Sequence, residues 1–252
     1  MGNEPTVSIV IAFLNEAARL PGTMDRIDAF LRTQHISHEF VLVNDGSTDN
    51  TKEYIDKRKE AGMPIVYREH FPNRGRGVSI RKGVLTAQGT YILETDADGS
   101  TALESIVAFL DYFDSNPDTD VIIGSRMMKG ARVVTPQPFL RVFLGYGFLY
   151  LAKILWLMPR ITDFTLGFKM FRKEAARDIF THQYDNHFTA EAEIVFSAYR
   201  LKYTIAQLPV VWSDNRDSRV RPLRDSFRSF KGMIKVMIRA LQGKYSSKQK
   251  KR

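Results

Sequence analysis

Unbroken apolar stretches alternate along the chain with stretches whose apolar positions recur every three or four residues. The first, TVSIVIAFL (6–14), is β-branched and almost free of polar groups. That pattern predicts a strand covered on both faces, as in parallel sheets. Residues 16–33 instead place Leu20, Met24, Ile27, Phe30 and Leu31 on one side of a helix. EFVLVN (39–44) predicts the next strand, followed by the turn DGSTDN. Asn50 and Glu53 then have the spacing of a capping box for a helix to about residue 61. PIVYRE (64–69), TYILET (90–95) and DVIIGS (120–125) predict three more strands. The loop PNRGRG leads into a helix over 78–87, and Thr101 with Glu104 predicts the cap of the helix after the fourth strand. Strands alternating with helices at this spacing imply βαβ units, hence an α/β domain built on a mostly parallel sheet.

The second half departs from this rhythm. LRVFLGYGFLYLAKILWLM (140–158) is apolar and aromatic, but Lys153 inside it argues against a membrane span. Its two glycines suggest a break. It reads equally as a buried core helix or as interfacial helices lying among lipid headgroups. LGFKMF, helices over 173–180 and about 189–201, and the strand TIAQLPVVW follow. The last periodic segment, SFRSFKGMIKVMIRALQGKY, sets Phe227, Phe230, Ile234, Met237, Ile238 and Leu241 on one face and Arg and Lys on the other. That is the composition of a membrane-surface helix. The expected organisation is one α/β domain over residues 1–225, with 139–158 a candidate for interfacial helices, and a basic amphipathic helix and tail over 226–252.

Charge sharpens this picture. The formal net charge is +9, and residues 213–252 alone carry thirteen Lys/Arg against three Asp. A near-neutral body with a cationic end points to an anionic partner, lipid surface or nucleic acid. The basic residues flank a regular apolar face rather than interleaving with exposed stacking aromatics, which disfavours nucleic acid. There is no cysteine, which removes disulfides, thiolate metal sites and cysteine nucleophiles. Glu4, Asn15 and Glu16 interrupt any N-terminal apolar stretch, so a cytoplasmic protein is expected.

In open parallel sheets ligands sit beyond the carboxyl ends of the strands. Asn15–Glu16, Asp45, Asp96–Asp98 and Arg126 all fall at such ends, which gathers scattered polar residues into one crevice. Asp96 and Asp98 flank Ala97, and residues two apart in an extended segment point the same way. Two carboxylates so placed suit a hard divalent cation that keeps positions for phosphate oxygens and water. The competing reading is an Asx turn beside a helix cap. Asp45 could accept hydrogen bonds from a ribose or base edge, or simply build its turn. Gly75 and Gly77 could form a phosphate loop, though their spacing fits no specific fingerprint. Arg74, Arg76, Arg81 and Lys82 could be solvated. His70, His182 and His187 have no metal-site spacing. Glu191 and Glu193 read equally as a solvated helix face or as acids that reach sugar hydroxyls or support an arginine.

Together, IVIAFLNE, VLVNDGSTDNT, DADGST, GSR and TDFTLGFKMFRKEA resemble the family 2 glycosyltransferases with a GT-A fold, and more narrowly the polyprenyl (dolichyl) phosphate glycosyltransferases. RGRGVSIRKGVLTAQGTYILETDADGST and LGFKMFRKEAA are closest to the dolichyl-phosphate glucosyltransferase type. The resemblance spans about residues 6 to 230. It implies a nucleotide-sugar donor (UDP-glucose or GDP-mannose), a polyprenyl or dolichyl phosphate acceptor, Mg²⁺ or Mn²⁺, and a peripheral place on the cytoplasmic face of a membrane. Ala12, Leu14 and Glu16 occupy its first nucleotide-contact motif, with Ala12 and Leu14 replacing the usual Pro and Tyr. Val43 and Asp45 match the second, where Asn44 replaces the usual first aspartate. Asp96, Ala97 and Asp98 match the metal and diphosphate motif. Arg126 and Arg141 fall where acceptor-phosphate arginines fall. Arg219 replaces the Lys of a Ser-Lys-Leu motif near the donor diphosphate, with Arg216 as a second candidate.

The implied reaction is inverting hexosyl transfer, glucose favoured, onto an already anionic phosphate. The alternatives are mannosyl transfer to the same acceptor class and a family 2 transferase with a sugar acceptor.

Overall fold

The structure is a computed structural model that describes residues 4–215 and 222–246. Its centre is a seven-stranded sheet. The strands are β1 (Val7–Phe13), β2 (His38–Asn44), β3 (Ile65–Glu69), β4 (Tyr91–Thr95), β5 (Val121–Ser125), β7 (Phe168–Arg172) and β8 (Ile205–Pro209), in the order β3-β2-β1-β4-β7-β5-β8. All pairings are parallel except those of β7, which runs antiparallel to both β4 and β5. The pattern therefore predicted the sheet class, while the reversed insertion of β7 depends on chain topology.

Helices cover both faces. Along β1, Val7, Ile9, Ile11 and Phe13 join the core under α1 (Leu20–Thr33) and α4 (Glu104–Ser115), while Val10 and Ala12 join the opposite core. That second core is closed by α3 (Arg76–Thr86), α6 (Lys173–Thr181), α7 (Ala190–Arg200), α5 (Phe139–Leu155) and α8 (Pro222–Leu241). A further helix, α2 (Thr51–Glu60), follows β2. The two-residue strands β6 (Arg132–Val133) and β9 (Val211–Trp212) pair at the side of the sheet where the site lies.

Several expected local devices are replaced. Asn50 precedes α2 but makes no side-chain cap. The Asp49 carboxylate does that work, accepting from the Thr51 amide (3.2 Å) and hydroxyl (2.5 Å). Thr101 does not cap α4 either. Leu103 holds that position, and Thr101 bridges to Trp212, tying the loop after β4 to β9.

No break occurs in α5, which runs through Gly145 and Gly147. Its inner side packs through Leu149 and Ala152, with Trp156 just beyond, whereas Phe139, Phe143, Tyr150 and Ile154 are well exposed. The inner side is thus part of the core, and the outer side carries exposed aromatic and aliphatic residues on the same single helix. The last helix, α8, is seated by Met233 and Val236, with Tyr245 following. Burying such a side chain contributes about 1.5–3 kcal/mol. Of the apolar face read from the sequence, Phe227, Phe230, Ile234, Ile238 and Leu241 are exposed, whereas Met237 is partly buried against the core. No described helix is long and apolar enough to cross a membrane.

Candidate active site

The sheet places Asp96 and Asp98 immediately after β4. Asp98 accepts a hydrogen bond from the Ser100 amide at 3.0 Å, which shapes the turn. The two aspartates line a cleft of about 90 Å³ together with Arg126, Gln137, Arg141, Gly167, Trp212 and Asp214. Asp96, Asp98, Arg126 and Arg141, scattered along the sequence, therefore meet in one place.

Each arginine is aimed by an aspartate. Arg126, just past β5, grips Asp163 through Nε (2.8 Å) and Nη2 (3.0 Å), and Nη2 also donates to the Thr165 hydroxyl at 3.0 Å. Its guanidinium lies 5.2 Å from the Trp212 ring centre. Burial opposes a charge on Asp163, but the Arg126 charge and hydrogen bonds outweigh it and hold that carboxyl below its ordinary value. Arg141, in the first turn of α5, reaches Asp214 at 3.5 Å. The cleft therefore touches the same helix that carries the exposed aromatic side.

Asp96 has a second role. Its Oδ1 lies 2.8 Å from Arg76 Nη2, at the start of α3. Burial raises its pKa, Arg76 lowers it and Asp98 raises it again, and the balance lifts Asp96 to about 6. Solvent still reaches 40% of its side chain, so the carboxylate stays open to a ligand.

Behind this pair is a buried ionic network. Arg76 also meets Glu191 (3.0 Å) and Glu94 (3.4 Å), and Lys169 binds Glu191 at 2.5 Å. Glu94 and Lys169 are fully buried. Burial and neighbouring Glu191 push the Glu94 carboxyl well above the ordinary range. Burial would do the same to Glu191, but Lys169 and Arg76 outweigh it and hold that carboxyl far below. The solvated-face reading of Glu191 and Glu193 is thus replaced: Glu191 supports an arginine. Glu193 accepts from the Tyr184 (3.0 Å) and Asp185 (2.6 Å) amides and from the Tyr245 hydroxyl, which ties α7 to the segment just after α8.

The other predicted residues lie at the neighbouring strand ends. Asp45 accepts from Asn73 Nδ2 (2.9 Å) and from the Arg74 (2.9 Å) and Gly75 (3.0 Å) amides, so its carboxylate anchors the loop ahead of α3. Ala12 and Val43 are register partners on β1 and β2, and both are buried. The Val43 side chain faces Gly83 of α3, where an added Cβ would lie 3.1 Å from it. Leu14 is half-buried, and Glu16 pairs with Arg19. The Gly75 and Gly77 amides donate to Asp45 Oδ2 and the Asn186 carbonyl, both at 3.0 Å, rather than pointing at an open phosphate cradle. A Cβ at either glycine would collide with the backbone carbonyl of Asn186 or Asp185, so their role is close packing. Arg216 and Arg219 lie outside the described residues.

The sequence reading missed Arg76, Glu94, Lys169 and Asp163. A signal existed for two of them: Glu94 and Lys169 interrupt otherwise apolar strands, and a charge in such a place must be paired.

Asp96 and Asp98 offer the oxygen donors that a hard divalent cation takes. Among the described residues no group of three His, Asp or Glu completes such a site. A cation held by this pair would draw its other ligands from a donor diphosphate and water.

A mostly parallel sheet with one reversed strand, an aspartate pair at the end of β4 and arginines facing it define a GT-A glycosyltransferase. The family described as "Glycosyl transferase family 2" matches residues 8–180, and the chain belongs to it. It is similar to the dolichyl-phosphate beta-glucosyltransferase of Dictyostelium discoideum, at 29% identity over 94% of this chain and 75% of the relative. It also resembles the enzyme of that name from Saccharomyces cerevisiae, at 30% identity over 97% and 78%. Among solved structures, glucosyl-3-phosphoglycerate synthase from Mycobacterium tuberculosis in complex with Mn²⁺, UDP-glucose and phosphoglyceric acid aligns with a TM-score of 0.66. At 15% identity over 92% of this chain and 80% of that one, the likeness is one of fold.

Proposed function

We propose that this enzyme transfers glucose from UDP-glucose to a dolichyl or other polyprenyl monophosphate, inverting the anomeric centre. The observation that carries this reading is the single cleft lined by Asp96, Asp98, Arg126 and Arg141. The dolichyl-phosphate glucosyltransferases among the relatives and the UDP-glucose and Mn²⁺ in the related structure support the choice of acceptor, donor and cation.

The chemistry follows from the charges. The acceptor phosphate monoester is already anionic at neutral pH, since its second pKa is near 6. A general base is therefore dispensable, and the difficulty is to hold two anions side by side. Arg126 and Arg141 do this for the acceptor, because planar guanidinium forks match phosphate oxygens. Asp163 and Asp214 orient them. A divalent cation at Asp96 and Asp98 would supply Lewis-acid stabilisation of the departing nucleoside diphosphate. The loop anchored by Asp45, with the ends of β1 and β2 at Ala12, Leu14, Glu16 and Val43, receives the nucleotide. The exposed apolar sides of α5 and α8, among basic residues, rest on the headgroup region of a membrane on its cytoplasmic face and bring the cleft to a lipid acceptor.

The test is a transfer assay with UDP-glucose or GDP-mannose, dolichyl phosphate, and Mg²⁺ or Mn²⁺, reading lipid-linked sugar. Glucosyl phospholipid from UDP-glucose is expected. Mannosyl lipid from GDP-mannose alone would overturn the sugar assignment, and product on a free sugar but not on the lipid would overturn the acceptor.

A further inference from the structure

Nothing in the reaction as described uses Arg76, yet it is among the most constrained side chains at the site. Its Nε donates to Glu191 at 3.0 Å and its Nη2 lies 3.4 Å from Glu94, both carboxyls buried behind the cleft. The same Nη2 lies 2.8 Å from Asp96 Oδ1, on the cleft side. Gly167 lines the cleft directly over this pair. A Cβ there would lie 2.8 Å from Arg76 Nη2 and 2.7 Å from Asp96 Oδ2. The start of α3 cannot drift, because the Gly77 amide donates to the Asn186 carbonyl at 3.0 Å and the glycines admit that loop at contact distance. Lys169, bound to Glu191, fixes the far side of the network.

We propose that Arg76 is a positioning residue: it is the built-in counter-ion of Asp96, so that a divalent cation and the donor diphosphate enter the site together rather than separately. This inference rests on the donor site proposed above. Without a ligand, Arg76 neutralises Asp96 and holds its carboxylate at the cleft wall. A bare cation arriving at Asp96 meets a fixed positive charge a few ångströms away, and at such separations like charges repel strongly in a partly desolvated site. A nucleoside diphosphate brings the negative charge that offsets both cations. Glu191, Glu94 and Lys169 serve by keeping the guanidinium in place, so its charge acts on one oxygen of one carboxylate rather than swinging into solvent.

Mn²⁺ binding to the full chain, followed by electron paramagnetic resonance of the free ion with and without UDP, tests this without any turnover. Wild-type protein should bind Mn²⁺ alone weakly and markedly more tightly with UDP. Arg76→Gln should bind Mn²⁺ alone about tenfold more tightly, as expected for removing one nearby positive charge, and UDP should then add less. Arg76→Lys, which keeps the charge, should stay close to wild type, a rescue that a purely structural role would not require. If Arg76→Gln does not fold, the triple variant Arg76→Gln/Lys169→Met/Glu191→Gln leaves no unpaired charge behind Asp96, removes one net positive charge and should show the same tightening. Bare Mn²⁺ affinity no higher than wild type in whichever of these variants is folded overturns the proposal. Asp96→Asn separates the two readings. Retained Mn²⁺ binding in the presence of UDP would mean that the cation does not sit at Asp96, and the donor-site reading would fail however the Arg76 variants behave.

Discussion

The floor of the cleft and the outer side of α5 and α8 break opposite rules of protein construction. At the floor, ionisable groups are buried: Glu94, Lys169 and Glu191 sit where apolar side chains normally sit, and Arg76 is shared among three carboxyl groups. On α5 and α8, apolar surface is left outside, with Phe139 82%, Ile154 71% and Leu241 85% exposed. A buried charge is costly unless paired, and a large exposed apolar patch marks a surface that meets something. The first departure lies under the cleft, and the second is the surface proposed above to meet a lipid. Arg141 belongs to both regions, since it opens α5 and lines the cleft.

The largest effect should come at the cleft. Asp98→Ala should lower transfer about 10³-fold, the scale of losing a principal charge-stabilising group, with an unchanged far-ultraviolet spectrum. Near-normal turnover with saturating Mg²⁺ or Mn²⁺ would detach the aspartate pair from the chemistry.

The next test sets the two regions against each other in stability. Lys169→Met leaves the buried Glu191 with Arg76 as its remaining counter-ion and should cost about 3–5 kcal/mol in urea unfolding. Ile154→Ser, on the exposed side of α5, should change stability by no more than about 0.5 kcal/mol. Equal losses would mean that the outer face is ordinary core. The same Ile154→Ser change, combined with Phe143→Ser and Ile234→Ser, should weaken binding to anionic phospholipid vesicles about tenfold or more, since each loses buried apolar area at the headgroups. Vesicle binding indistinguishable from wild type would leave that surface without its proposed partner.

A smaller effect is expected from acid. Asp163 has a lower pKa in the folded chain than when unfolded, because Arg126 outweighs its burial. Its contribution to stability is therefore complete above the unfolded carboxylate value, near 3.9, and is lost as pH falls through the lower folded value. Asp163→Asn should be less stable than wild type at neutral pH and should converge with it in strong acid. Parallel pH curves would remove Asp163 from the linkage.

How much of this was legible in the sequence depended on the range of the interactions. The apolar runs of β1, β2, β4 and β5 are consequences of burial on both faces, and they set the strand ends at which Asp96, Asp98 and Arg126 lie. Capping went wrong where chemically similar neighbours compete: Asp49 displaced Asn50, and Thr101 was drawn away by Trp212. The antiparallel insertion of β7 and the pairing of β6 with β9 join residues far apart in the chain, and no local pattern records such pairings. Arg76 looked like one basic residue in a polar loop. Only the fold brings it to Glu191, 115 positions away. The outward apolar side of α8 was visible, but its seat was not, because Met233 and Val236 match the exposed residues in hydrophobicity.

The most direct test of the central claim, that one cleft gathers donor and acceptor anions, is the steady-state response of Arg141→Gln to each substrate. The side chain is partly exposed and its bond to Asp214 is long, at 3.5 Å, so the change should leave the fold intact. The expected result is a KM for polyprenyl phosphate raised about tenfold or more, the loss expected when a charged hydrogen-bonding group is removed, with the KM for the nucleotide sugar within about twofold of wild type. Equal rises for both substrates, or no change in either, would contradict it.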